Sequence, residues 1–242
     1  MPIGRRELLT ATVLGIVLAP VRALAAVVAG RLPWKSDAGS PPEAVRDGPW
    51  QFFTTNEAAA IEAVVDRLIP ADPHTPGGKD AGCAVYMDRA LAGAYGRADG
   101  LYRAGPFVRG AAQQGDQSEL TPAARCREGL LALDRYCRST YPDRPFARLG
   151  VQEQDEVLGR LEAGTTALGA ADAGAFFDLL LKLTQEGFFA DPIYGGNRDM
   201  CAWRMIGFPG ARYDYSDWVE RHNERYPGPP VSIGGRREWM QP

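Results

Sequence analysis

Two histidines, His74 and His222, and four cysteines, Cys83, Cys126, Cys137 and Cys201, offer this 242-residue sequence most of its scope for nucleophilic, acid–base or metal chemistry. Each histidine lies in a polar, loop-like context with no motif around it, and acid–base work needs a partner within hydrogen-bond reach. The cysteines have no C-x-x-C or C-x-x-C-H spacing, so the signatures of a zinc knuckle, a thioredoxin-like site and c-type haem attachment are missing. Neither PGGKDAG nor YGGNRDM has the spacing of a dinucleotide-binding turn after a strand, and there is no phosphate-binding G-x-x-x-x-G-K-[ST] or nucleophile elbow. Glu153, Asp155 and Glu156 fall in the first turn of a predicted helix, where carboxylates favour the positive dipole end. An enzyme complete in itself would have to build its site from His74, His222, Cys201 and nearby carboxylates.

The stretch EGFFADPIYGGNRDMCAWRMIGFPG, Glu186 to Gly210, has a different character. Gly195 and Gly196 permit a turn that side chains would forbid, and Asn197, Arg198 and Asp199 can pin it by local hydrogen bonds. Phe188, Phe189, Tyr194, Trp203 and Phe208 crowd the same segment. Trp, Tyr, Phe, Met and Arg are the residue types favoured at interface hot spots, so the segment reads as a preformed docking surface. The competing reading is a long loop tucked onto its own domain. Cys201 lies within this segment, either as a buried thiol or as one free to pair between subunits.

The elements that carry this stretch read as helices. TTNE at Thr54 to Glu57 offers a capping box, followed by Ile61, Val64, Val65 and Leu68 at helical spacing and a stop at Pro70. Asp80 is the expected N-cap of a second helix, with Ala84, Met87, Leu91 and Ala94 on one face. Thr121-Pro122 opens a third, whose buried stripe is Cys126, Leu130, Leu133 and Cys137. The last two cysteines named on that stripe's ends stand about 16 Å apart along a helix axis, beyond disulfide reach of roughly 7 Å. A helix from Gln152 ends near Gly164, and Ala171 to Glu186 presents Phe176, Phe177, Leu180, Leu181 and Leu183 on a wide apolar face. Nothing alternates with period two, so the fold class predicted is all-α: a single helical domain with long structured loops.

Composition narrows the partners. A net charge of -3 with scattered basic residues leaves no footprint for nucleic acid. Arg5-Arg6 before the apolar run Ala11–Ala19 has the layout of a twin-arginine export signal over residues 1–25, with Ala23-Leu24-Ala25 as cleavage site. The alternative is an uncleaved anchor, although Pro20 and Arg22 interrupt the apolar span. Residues 26–49, rich in Pro, Gly and Ser, read as a linker, 50–233 as the folded domain and 234–242 as a tail. Because this route exports folded proteins, the leader points to a periplasmic product assembled before transport.

QFFTTNEAAAIEAVVDRLIPAD, LTQEGFFADPIYGGNRDMCAWRMIGFPGARYDY and HNERYPGPPVS together resemble the gluconate 2-dehydrogenase subunit 3 family over roughly Trp50 to Ile233. The resemblance implies a non-catalytic small subunit that binds no cofactor, metal or substrate itself. Its implied partners are a FAD-binding large subunit of the glucose-methanol-choline type, a multihaem cytochrome c subunit carrying haem c, and the twin-arginine translocation machinery. The implied role is maturation and export of the flavoprotein to the periplasm, where the complex is associated with the inner membrane. On this reading Phe188, Phe189, Tyr194, Asn197, Arg198, Trp203 and Phe208 form the partner interface or hold its loop.

Overall fold

The computed structural model describes residues 44–45, 48–108, 110–114, 118–169, 171–211 and 216–234. Arg5, Arg6 and the expected leader, most of the linker and residues 235–242 lie outside the described residues. Among those described there are seven α-helices and no strand: the all-α class is as the periodicity predicts, and Ala94–Arg97 and Cys201–Ile206 are short helices beyond the five expected.

Helix α1 (Thr55–Leu68) starts at the expected box: Thr54 Oγ1 accepts from the Glu57 amide at 3.4 Å, and Glu57 accepts from the Thr54 amide at 2.8 Å. Its buried face is Ala58, Ile61, Val64 and Val65. Just before it, the buried Asp88 carboxylate accepts the amides of Gln51, Phe52 and Phe53, each at 2.9 Å, and fixes where the chain enters the domain.

Helix α2 (Cys83–Ala92) corrects one expectation. Its N-cap is Gly82, not Asp80. Gly82 has φ +83°, and a Cβ there would lie 2.7 Å from the Gly195 carbonyl oxygen, so glycine geometry overrides the side-chain cap that Asp80 could have supplied. Ala84, Met87 and Leu91 are buried as expected, but the helix breaks at Gly93 and Ala94 opens a separate short helix, α3 (Ala94–Arg97).

Helix α4 (Pro122–Thr140) has Thr121 accepting the Ala124 amide at 3.2 Å and buries Cys126, Leu130, Leu133 and Cys137. Helix α5 (Val151–Glu162) is capped by Glu153, which accepts the Gly150 amide at 2.8 Å. Helix α6 (Ala173–Phe189) begins at Asp172, which accepts the Ala175 amide at 3.0 Å, and runs one turn further than expected. It touches α1, α2, α4 and α5, so its apolar side chains Phe176, Leu180 and Leu183 form the centre of the core. Among the described residues no helix is long and apolar enough to cross a membrane.

Candidate docking surface

The distinctive loop leaves the core at the end of α6. Phe188 turns inward and is buried, whereas Phe189 points out, their rings meeting edge to face at 5.3 Å. Asp191 then opens the turn Pro192–Tyr194 by accepting the Ile193 amide at 3.0 Å. The same buried carboxylate accepts the Ser232 hydroxyl at 2.6 Å and the Ile233 amide at 2.7 Å, tying the C-terminal strap to the loop. The strap is also held by the Ala211 amide donating to Val231 O at 2.7 Å.

Gly196 folds the loop back so closely that a Cβ would stand 2.0 Å from the Gly187 carbonyl oxygen. Asn197 follows, fully buried, with φ +45°. Its Nδ2 donates to Ala190 O at 2.9 Å and its Oδ1 accepts the Ala202 amide at 2.9 Å, so one side chain ties together the end of α6 and the start of α7 (Cys201–Ile206). Asp199 and Met200 are also left-handed, at φ +55° and +57°. Such residues cost on the order of 1 kcal/mol or more each, and persist only where surrounding contacts fix them. Here Asn197, the Arg198 amide on Ala81 O at 3.1 Å and the packing of α7 do so.

Trp203 is 5 % exposed, donates Nε1 to Phe189 O at 2.9 Å and packs edge to face on Phe208 at 5.1 Å. The predicted interface set therefore divides. Phe188, Asn197 and Trp203 are buried in this chain and hold the loop, the second of the two roles expected of the set. Phe189, Tyr194 and Phe208 are exposed apolar residues, and Arg198 is exposed beside them in sequence. Two further residues join the outward face, Met205 and Ile206, giving five large apolar side chains that are 41–57 % exposed on one loop. For Met205 the signal lay in WRMIGF, because position 205 lies off the face of the buried Trp203; Ile206, three residues beyond Trp203, shares that face and carried no such signal. Beside them a hollow of about 560 Å3 is lined by Phe189, Tyr194, Val45, Tyr86, Glu186 and their neighbours.

The residues considered for catalysis are placed differently. His74 and His222 are both exposed, and the His74 amide serves a turn closed by Asp72 Oδ1 at 2.7 Å. No described hydrogen bond joins either imidazole to a carboxylate or to Cys201. Cys201 is half-buried, with Sγ 3.8 Å from Asn197 Oδ1, and burial pushes its thiol up, away from the thiolate a nucleophile needs. Burial pushes the thiols of Cys83, Cys126 and Cys137 up to about 12. Glu153, Asp155 and Glu156 pair with Arg144, Arg67 and Arg160 respectively, on the surface of α5. Among the described residues no group of three His, Cys, Asp or Glu side chains is disposed to hold a metal ion.

The family model described as gluconate 2-dehydrogenase subunit 3 matches residues 55–210. The chain belongs to that family. The match begins with the first residue of α1 and ends at Gly210, so it covers every described α-helix and the loop after α6, while the strap that Asp191 holds lies beyond it. No curated protein and no solved structure matches the chain. This gluconate 2-dehydrogenase subunit 3 protein is thus an accessory subunit of an oxidoreductase complex, and its functional site is sought in the surface it offers to other subunits.

Proposed function

We propose that the chain is the non-catalytic small subunit of a FAD-dependent gluconate or sugar dehydrogenase complex, and that it docks on the flavoprotein large subunit through the loop after α6. The observation that carries this reading is the division of labour within the loop. Buried Asn197, Trp203 and Asp191 fix a strained backbone, and that fixed backbone holds Phe189, Tyr194, Met205, Ile206 and Phe208 in solvent. Ordering apolar side chains outward before binding lowers the entropy cost of association, which is the physical use of such a scaffold. Family membership supplies the kind of partner, a subunit of the same oxidoreductase.

The large subunit is of the glucose-methanol-choline type and holds the FAD, and a multihaem cytochrome c subunit with haem c receives its electrons. The small subunit supports maturation of the flavoprotein and carries it through the twin-arginine translocation machinery on the signal marked by Arg5 and Arg6. The assembled complex is periplasmic and associated with the inner membrane. Cys201 is a thiol near enough to this surface to pair with a partner subunit. The test is recovery of the tagged chain from its native host, followed by absorption spectroscopy, mass spectrometry and dye-linked dehydrogenase assay. A yellow flavoprotein whose activity is found only in the complex is expected; a colourless chain recovered alone would overturn the reading.

A further inference from the structure

The hollow beside Phe189 is more than an apolar cleft. It sits at the C-terminal end of α6, where the helix carbonyls present the negative end of the macrodipole. Helices α1, α2, α4 and α5 each carry an arginine in their last turn, namely Arg67, Arg89, Arg138 and Arg160, whereas α6 carries no basic residue there. Two carboxylates, Glu186 and Asp191, line the hollow. Asp191 is satisfied by neutral donors, the Ser232 hydroxyl and the amides of Ile193 and Ile233, so its charge meets no counter-ion in those bonds. The lining cation Arg89 is already committed to Asp88 and to Pro49 O at 3.2 Å. Lys182 reaches Glu186 only at 3.8 Å, through a mostly exposed pair of the kind worth little. Three aromatic side chains line the hollow with Glu186. Tyr86 donates its hydroxyl to Glu186 Oε2 at 3.4 Å, and Phe189 and Tyr194 are both partly exposed in the same hollow.

A carboxylate in a hollow lined with aromatic residues at a helix C-terminus is complementary to a planar cation, which can stack on the rings and bond the carboxylate bidentately. We infer that this hollow receives an arginine side chain of the partner subunit, with Glu186 as its counter-ion and Phe189 and Tyr194 as its stacking walls. Tyr86 stays a hydrogen-bond donor throughout, because burial and then the Glu186 charge push its phenol up to about 12. The inference rests on the docking reading and assigns it a chemistry: a cationic anchor beside an apolar face.

The test compares Glu186→Gln with Ile206→Asp in the complex with the co-purified flavoprotein, measuring Kd across a salt series. Both altered side chains are solvent-accessible, so the fold is expected to survive either change. Glu186→Gln is expected to weaken binding at least about tenfold at low salt and to flatten the salt dependence. A Kd unchanged by Glu186→Gln but raised by Ile206→Asp would overturn the arginine and leave the docking reading standing. Indifference to both variants would overturn both. On the chain alone, N-acetyl-arginine amide is expected to shift the methyl resonances of Ala90 and Ala190, which line the hollow. Equal shifts from N-acetyl-leucine amide would overturn the cationic assignment.

Discussion

Replacing Asn197 by alanine removes the side chain on which the loop geometry turns. The buried Ala202 amide loses its acceptor at 2.9 Å, a loss of about 2 kcal/mol for a group cut off from water. The part-buried Ala190 carbonyl loses its donor, also at 2.9 Å, but can recover some hydration, which limits that loss to about 1 kcal/mol. Alanine at φ +45° adds about 1 kcal/mol of backbone strain that asparagine tolerates better. The sum is about 4 kcal/mol, a large part of the roughly 5–15 kcal/mol that stabilises a typical domain. Asn197→Gly relieves the strain and is expected to cost about 1 kcal/mol less than Asn197→Ala. Chemical denaturation of the purified chain followed by circular dichroism measures both, and amide exchange at Ala202 reports the local opening. A loss below about 1 kcal/mol for alanine, or glycine no better than alanine, would refute the reasoning.

Trp203→Ala is expected to destabilise the chain by about 3–5 kcal/mol through cavity formation and a lost bond to Phe189 O, seen as a fall in melting temperature before any binding assay. Ile206→Asp, on the exposed face, should leave the melting temperature unchanged while partner binding falls, measured by calorimetry of the two subunits. In a thiol-labelling experiment at pH 8, Cys201 should react slowly and Cys83, Cys126 and Cys137 only after denaturation, since burial pushes all four thiols up and leaves Cys201 the most accessible. Glu57→Gln keeps an acceptor for the α1 capping box but loses the Arg127 ion pair, and should cost about 1 kcal/mol near neutral pH. Burial alone would raise the Glu57 carboxyl, but hydrogen bonds from Arg127 and Thr54 outweigh it and hold it below its ordinary value of 4.5. Its contribution is therefore present above that value and lost as pH falls through the lowered one, so denaturation curves of variant and parent should converge in acid.

The helices were legible because their signals are local. The Thr54 to Glu57 box and the Thr121-Pro122 start both form as the spacing predicts, and the stripes of α1 and α4 are buried except for Leu68, which is half-buried at the end of α1. Where a boundary depends on a distant segment, sequence reasoning missed. The start of α2 is set at Gly82 by the approach of Gly195, more than a hundred residues away, and nothing near Asp80 announces it. The segment after α6 stands out in the sequence by its aromatic and glycine content, but its residues cannot be sorted into inward and outward from composition alone. Trp203 and Phe208 are both large and aromatic, yet the first is buried with its ring N–H on Phe189 O and the second lies exposed against it. Asp191 carried a readable sign, Asp before Pro at a turn start, but its grip on Ser232 and Ile233 spans about forty positions and is visible only in three dimensions.

In the docking proposed above, this subunit meets a flavoprotein large subunit through the loop after α6. Hydrogen exchange of the chain, alone and in the complex, tests it most directly. Protection gained on binding is expected within residues 186–211, strongest around Phe189, Tyr194 and Ile206, which carry exposed apolar side chains. Unchanged exchange across that segment, with protection gained instead at the exposed Leu101, Tyr102 and Val108, would contradict the claim and move the interface to the far end of α6.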